Sequence, residues 1–202
     1  MKYVSTPAVV SSLAAPFGLV GGWAVAGLMW PEFDPVIQTI SELAAGDAPT
    51  AVLMNTMFVL AGLCHMTTAW FSPGIALLGR IALGLAGLAS IGVAVFPLPT
   101  VLGTSTEHRV VAAMSFVLLA VWPLLGWRQN HPVKMLRPLP MIASAIVLGS
   151  LCLWFFAVWS DLGGTTGLVE RIAVAAEALF PAFIVYKLNS HSDEEVSDEI
   201  QV

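Results

Sequence analysis

Charge is what this chain has least of. Only 10% of its 202 residues are Asp, Glu, Lys or Arg and 57% are hydrophobic, where soluble domains carry about 25% charged residues. A water-soluble fold of this size has no interior large enough for so much apolar surface. That excludes a soluble globular domain and leaves a polytopic membrane protein. Basic residues are few, eight Lys and Arg in all, and they form no stripe, which excludes a nucleic-acid surface. Cysteine is nearly absent. Cys64 and Cys152 fall inside separate apolar runs at depths that do not match, so no disulfide is expected. No secretory leader is expected either. The first apolar run is too long for an h-region, and the Ala24-Val25-Ala26 triplet that imitates a cleavage site lies within it.

What is present is apolar length. Six runs reach the ~20 residues needed to cross a bilayer: 8–30, 51–71, 75–96, 108–127, 139–159 and 168–188. Turn-forming stretches separate them, among them Ser72-Pro73-Gly74 and the segments 97–106, 128–138 and 161–166. The fold class that follows is all-α, with six transmembrane helices over residues 1–188. Lys2, Arg80, Arg128, Lys134, Arg137 and Lys187 fall on one side of that topology, and Arg109 and Arg171 on the other. The positive-inside rule then places both termini in the cytoplasm of a plasma-membrane protein. Residues 189–202 hold five of the thirteen acids and no Lys or Arg, and are expected to be a disordered cytoplasmic tail. Trp30, Trp154 and Trp159 would flank the outer interface, with Trp70, Trp122 and Trp127 near the inner one. Gly18, Gly22 and Ala26 on the first span, and Ala82, Ala86 and Ser90 on the third, form small-residue ridges suited to close helix contacts.

Between the first two spans lies the one polar-patterned segment before the tail, Asp34 to Leu43. Asp34 suits an N-cap and Pro35 the first helical position. Val36, Ile37, Ile40, Leu43 and Ala44 share a helical face, which predicts a short amphipathic helix at the membrane surface or folded onto helix ends. The same topology brings other polar residues to the outer level. Asn55 lies a turn into the second span, Glu107, His108 and Arg109 open the fourth, Asp161 closes the fifth, and Glu170 and Arg171 open the sixth.

Several of these residues carry a resemblance. Trp30-Pro31, Asp34-Pro35, Thr39-Ile40-Ser41-Glu42-Leu43, Met54-Asn55, His108, Trp122-Pro123 and Gly167-Leu168-Val169-Glu170-Arg171 resemble the pattern of domain-of-unknown-function family nine-nine-eight, small membrane proteins of bacteria and archaea. The resemblance covers nearly the whole chain apart from the acidic tail. It implies a six-helix bundle and brings no established activity. Relatives carry a further His in the third loop, and its absence here weakens a metal reading.

The candidate chemistry is modest. Glu42, His108 and Glu170 are residue types that hold zinc, yet they come from three loops without a spacing motif. The plainer reading is a network that locks loops onto helix ends, Arg171 pairing with Glu42 or Glu107 and Arg109 with Asp34. No metal and no cofactor is expected. Glu177 lies ten residues past Gly167, about 15 Å deep at helical rise, and an intramembrane carboxylate is either a proton or cation site or a protonated, hydrogen-bonded interior group. His65 lies deep in the second span, where a lone His is an interhelical hydrogen-bond partner more often than a ligand. Three functions fit. The first is a non-catalytic accessory or binding subunit of a larger membrane complex, with a polar cluster on its extracytoplasmic face. The second is a membrane-embedded enzyme acting on a lipid or lipid-linked substrate there. The third is a proton-coupled transporter built on Glu177. The partners expected are membrane lipids together with other membrane subunits or a second copy of the chain, and no nucleic acid.

Overall fold

The computed structural model describes residues 3–160 and 164–200, with 193–200 as helical backbone, and the described residues contain helices and no strands. Asp161 lies outside the described residues. Six long helices follow the apolar runs: α1 (Thr6–Met29), α3 (Ala51–Trp70), α4 (Leu77–Val95), α5 (Thr106–Gly126), α6 (Pro138–Ser160) and α7 (Thr166–Ile200). A single turn of helix, α2 (Ile40–Leu43), sits between α1 and α3, and a 3₁₀ turn (Lys134–Leu136) precedes α6. Five of the long helices, all but α7, are long and apolar enough to cross a membrane. Their outward side chains agree with a lipid environment: Phe17, Leu28, Val52, Leu139 and Leu153 are each at least 72% exposed, where water would penalise them.

Each long helix packs on its neighbour in the chain, and α7 closes onto α1, so the six form a ring. Small residues let the helices approach, since helices in lipid associate by packing rather than by excluding water. Ala82, Ala86 and Ser90 on α4 are all buried, and Ser90 Oγ donates to the Phe58 carbonyl of α3 at 3.1 Å. Gly22 on α1 faces the Met57 side chain, and Ala26 is buried.

The two ends of the ring differ. At one end Arg80 bonds the last carbonyls of α3, Ala69 at 2.7 Å and Trp70 at 2.8 Å, rather than reaching into solvent. Arg128 holds the Pro73 carbonyl at 2.9 Å and Arg137 that of His131 at 3.0 Å. Cations suit these sites because helix ends and turns leave carbonyls without donors. Burial, with the nearby Arg128 and Arg137 cations, holds His131 below the usual imidazole range, and its Nδ1 accepts from the Val133 N–H at 3.1 Å. An apolar core fills the ring at this end, built around Trp122, Leu83, Leu119, Met141, Ile184 and Leu188. Trp122 is therefore not part of an interfacial belt: it is fully buried, with its ring 5.4 Å from that of Phe180. α7 runs on through the acidic stretch to Ile200 as helix, where the sequence reading expects no regular structure. Extending an existing helix costs far less than starting one.

At the other end the segment after α1 folds over the ring. The helix expected from Asp34 to Ala44 is only the turn Ile40–Leu43. Asp34 closes a turn of its own instead, its Oδ1 accepting from the Val36 N–H at 2.8 Å while its N–H donates to Gln38 Oε1 at 2.9 Å. A short Asp side chain bonds local backbone this way and competes with helix. Thr39 is the true cap. It forms a capping box with Glu42, in which each side chain accepts the other residue's backbone N–H. Ile40, Leu43 and Ala44 are buried among Leu19, Trp23, Met54 and Phe58, whereas Val36 and Ile37 are exposed. The predicted apolar face is thus split between interior and surface.

Candidate functional site

The segment 31–50 is held in place by backbone bonds to two distant parts of the chain. The N–H groups of Gly167 and Leu168, in the first turn of α7, donate to the carbonyls of Ile37 (3.1 Å) and Val36 (3.0 Å). These are donors that a helix start cannot satisfy internally. On its other flank the Gly46 N–H donates to the Leu98 carbonyl at 2.8 Å, and Asp47 Oδ1 accepts from the Val101 N–H at 2.7 Å. The first loop is therefore stitched both to α7 and to the α4–α5 connection.

Arg171 reinforces the first seam. Its Nη1 donates to three carbonyls, Gln38 at 2.8 Å and Pro35 and Gly167 at 2.9 Å, and its guanidinium carbon lies 5.2 Å from the centre of the Phe33 ring. Glu170, the preceding residue, bonds the same loop two residues further on. It is buried, and its Oε2 accepts the Ile40 N–H at 2.5 Å. Gly167 is required at this crossing because a Cβ there would strike the backbone of Gln38 and Pro35. Asn55 supports the loop from beneath, its Nδ2 donating to the Ala44 and Ala51 carbonyls at 2.9 Å. The bonds that fasten this loop run from side chains to backbone. Arg171 holds carbonyls rather than Glu42 or Glu107, and Asp34 holds its own turn rather than Arg109.

This scaffold walls a cleft of about 610 Å³. Its lining includes the aromatic side chains Phe155, Phe156 and Trp159 of α6 and the aliphatic Leu98, Val101 and Leu102 of the α4–α5 connection. Polar side chains line it as well, among them Glu42, His108, Arg109 and Glu170. Asp34, Asn55 and Arg171 do not line the cleft and act behind its wall. His108 Nδ1 bonds the Phe96 carbonyl at 2.9 Å. A carbonyl only accepts, so the proton sits on Nδ1 and Nε2 carries a lone pair. Arg109 is exposed and makes no hydrogen bond or ion pair among the described residues. Among the described residues no group of three His, Cys, Asp or Glu is placed to hold a metal ion.

A second, smaller cavity of about 50 Å³ lies in the middle of the ring, lined by His65, Ser90, Ser115, Glu170 and Glu177 among apolar side chains. Ser41, Ala112, Phe116 and Glu170 border both spaces. Glu177 Oε1 accepts from the Cys152 thiol at 2.8 Å, and both cysteines are free.

Several of these residues escaped the sequence reading. Thr39 could have been found, because Thr-x-x-Glu over 39–42 is a capping-box pattern. Cys152, Ser115 and the aromatic wall of α6 could not, since their positions depend on the depth at which α5, α6 and α7 are set against one another.

A family model described as protein of unknown function, DUF998, matches residues 13–185 of the chain. No curated protein and no solved structure matches it.

Proposed function

The chain belongs to the DUF998 family of proteins of unknown function, and from that premise we propose that it is a non-catalytic binding subunit in the plasma membrane that takes a lipid-like amphipath in the cleft beside Glu170. The helices cross the membrane six times in this reading, α7 supplying the sixth span. Both termini are cytoplasmic, and the cleft opens at the extracytoplasmic face. The placement of Arg80, Arg128 and Arg137 at the opposite end supports that orientation.

The observation that carries the reading is the mixed lining of the cleft, aromatic and aliphatic side chains together with charged and polar ones. Its volume is within the range of small-molecule sites. The Phe155, Phe156 and Trp159 wall suits an acyl or similar apolar chain, while Arg109 at the rim suits the anionic part of a headgroup and His108 Nε2 accepts from a hydroxyl or amine. Catalysis is disfavoured because the polar side chains are committed to structure: Glu42 to its capping box, Glu170 to the Ile40 N–H and His108 Nδ1 to the Phe96 carbonyl. No nucleophile stands beside a general base among them.

Native mass spectrometry of protein extracted from its own membrane tests this. The expected result is a bound amphipath that is lost when the cleft is filled by Ala113→Phe, with the fold retained. Arg109→Ala should weaken retention of anionic amphipaths, with little effect on neutral ones. Wild-type protein that carries no amphipath, or equal retention by the filled variant, would contradict the reading.

A further inference from the structure

The central cavity contains more open hydrogen-bonding capacity than a structural core tolerates. His65 is 2% exposed, lines the cavity, and its Nδ1 has no partner. Among the described residues, Glu177, 1% exposed, has one hydrogen bond, from Cys152 to Oε1, which leaves Oε2 without a partner there. Glu170 commits Oε2 to Ile40, which leaves Oε1 open, and the Ser115 hydroxyl makes no hydrogen bond among the described residues. Four polar groups from α3, α5 and α7 thus converge on one space with valences to fill.

Apolar cavities stay dry, but polar ones of sufficient volume hold water, and each water needs about 10–15 Å³ and two to four polar partners. A volume of about 50 Å³ meets that requirement. The Glu177 carboxyl faces no cation. The titratable groups near it are His65 from α3, Cys152 from α6 and Glu170 one face along α7, while α1, α4 and α5 present Leu19, Ser90 and Ser115. An unpaired carboxylate in such a setting is far costlier than the neutral acid, so Glu177 rests as the acid and holds a proton. Access is one-sided. Glu170 borders both this cavity and the cleft, whereas the opposite end of the ring is filled by the core around Trp122, Leu83 and Ile184.

We propose that this chamber is a hydrated proton-binding site, in which water joins the Glu177 carboxyl to the His65 ring and Ser115 and exchanges protons with the cleft through Glu170. The proton leaving Glu177 Oε2 passes to water, water passes one to Glu170 Oε1, and Glu170 releases it into the cleft. The return reverses each transfer, so no oxidant or other co-reactant is involved. The inference rests on the inner cavity and does not depend on what the cleft binds.

Infrared spectroscopy of the purified protein tests it through the carboxylic-acid C=O band. Wild-type protein should show this band at neutral pH, and Glu177→Gln should remove it. If Glu177→Gln does not fold, Cys152→Ser provides the assignment, because a stronger donor on Oε1 lowers the band's frequency. Transfer to D₂O should shift the band promptly in the folded protein. Glu170→Gln keeps an acceptor for the Ile40 N–H but carries no proton, and should slow that shift by about tenfold or more, the factor given by about 1.4 kcal/mol on a barrier. An absent band, a shift seen only on unfolding, or an unchanged rate in Glu170→Gln would each overturn the proposal.

Discussion

Arg171→Ala is expected to be the most damaging single substitution at the Glu170 end of the bundle, lowering stability by roughly 3–5 kcal/mol. The reason is the number of groups that one guanidinium satisfies. Its Nη1 serves the carbonyls of Pro35, Gln38 and Gly167. Each bond to a charged donor contributes more than a neutral one, and the part-buried Gln38 carbonyl bears a share of its desolvation cost once that donor is gone. The loop should then detach from α7, taking Ile40 and Leu43 out of the interior. Arg171→Lys should recover only part of the loss, because a single ammonium does not reproduce the planar fork or its stacking on Phe33. Thermal unfolding of the three proteins in detergent would show the order wild type, Lys, Ala. Equal stability of wild type and Arg171→Ala would mean that the seam carries no load.

Gly62→Leu should match that effect from the centre of the bundle. α3 and α4 meet there backbone to backbone. A Cβ on Gly62 would collide with the Gly87 carbonyl and come within 2.7 Å of Ile91, and a Cβ on Gly87 would approach the Gly62 carbonyl to 2.5 Å. Backbone cannot rotate away as a side chain can, so the helices must separate. Overpacking of this kind costs about 1–3 kcal/mol, occasionally more, and here it also breaks the bond between Ser90 and the Phe58 carbonyl. Gly149→Ala is the control. Nothing lies within 4 Å of its added Cβ, and replacing a mid-helix glycine by alanine should stabilise by about 0.5–1 kcal/mol. The expected result is a fall in unfolding temperature for Gly62→Leu beside an unchanged or raised one for Gly149→Ala.

Much of this architecture was legible in the chain because lipid simplifies the problem. An apolar run long enough to cross a bilayer must satisfy its backbone internally and so becomes helix, which is why the six runs coincide with the long helices to within a few residues at every end but one, the C-terminal end of α7, which runs on to Ile200. Glu42, His108 and Glu170 could be assigned to one end for the same reason: alternate connections of such a bundle lie on the same side. What could not be read was local competition and helix depth. Asp34 carries the marks of a helix cap, yet its carboxylate closes a turn, and the cap falls five residues later on Thr39. Residue type alone places Trp122 at the membrane interface, but its rotation on α5 turns it into the core. The pairing of Cys152 with Glu177 depends on how far α6 and α7 slide past each other, and no pattern within either helix encodes that offset. Nor did the sequence separate residues that face the cleft from those behind it. Arg171 and Glu170 are neighbours in the chain and both bond the loop 35–40, yet only Glu170 lines the cleft.

The loop after α1 is fastened to the first turn of α7, and that seam borders the cleft and places Glu170 between the two cavities. Thiol cross-linking tests it most directly. Val36→Cys and Leu168→Cys, introduced together with Cys64→Ser and Cys152→Ser, sit at positions joined by a 3.0 Å backbone hydrogen bond and are both exposed at the surface. A short bifunctional maleimide added to intact membranes should join them within a single chain in high yield. Ready reaction of both thiols with a monofunctional maleimide, but no intramolecular cross-link between them, would contradict it.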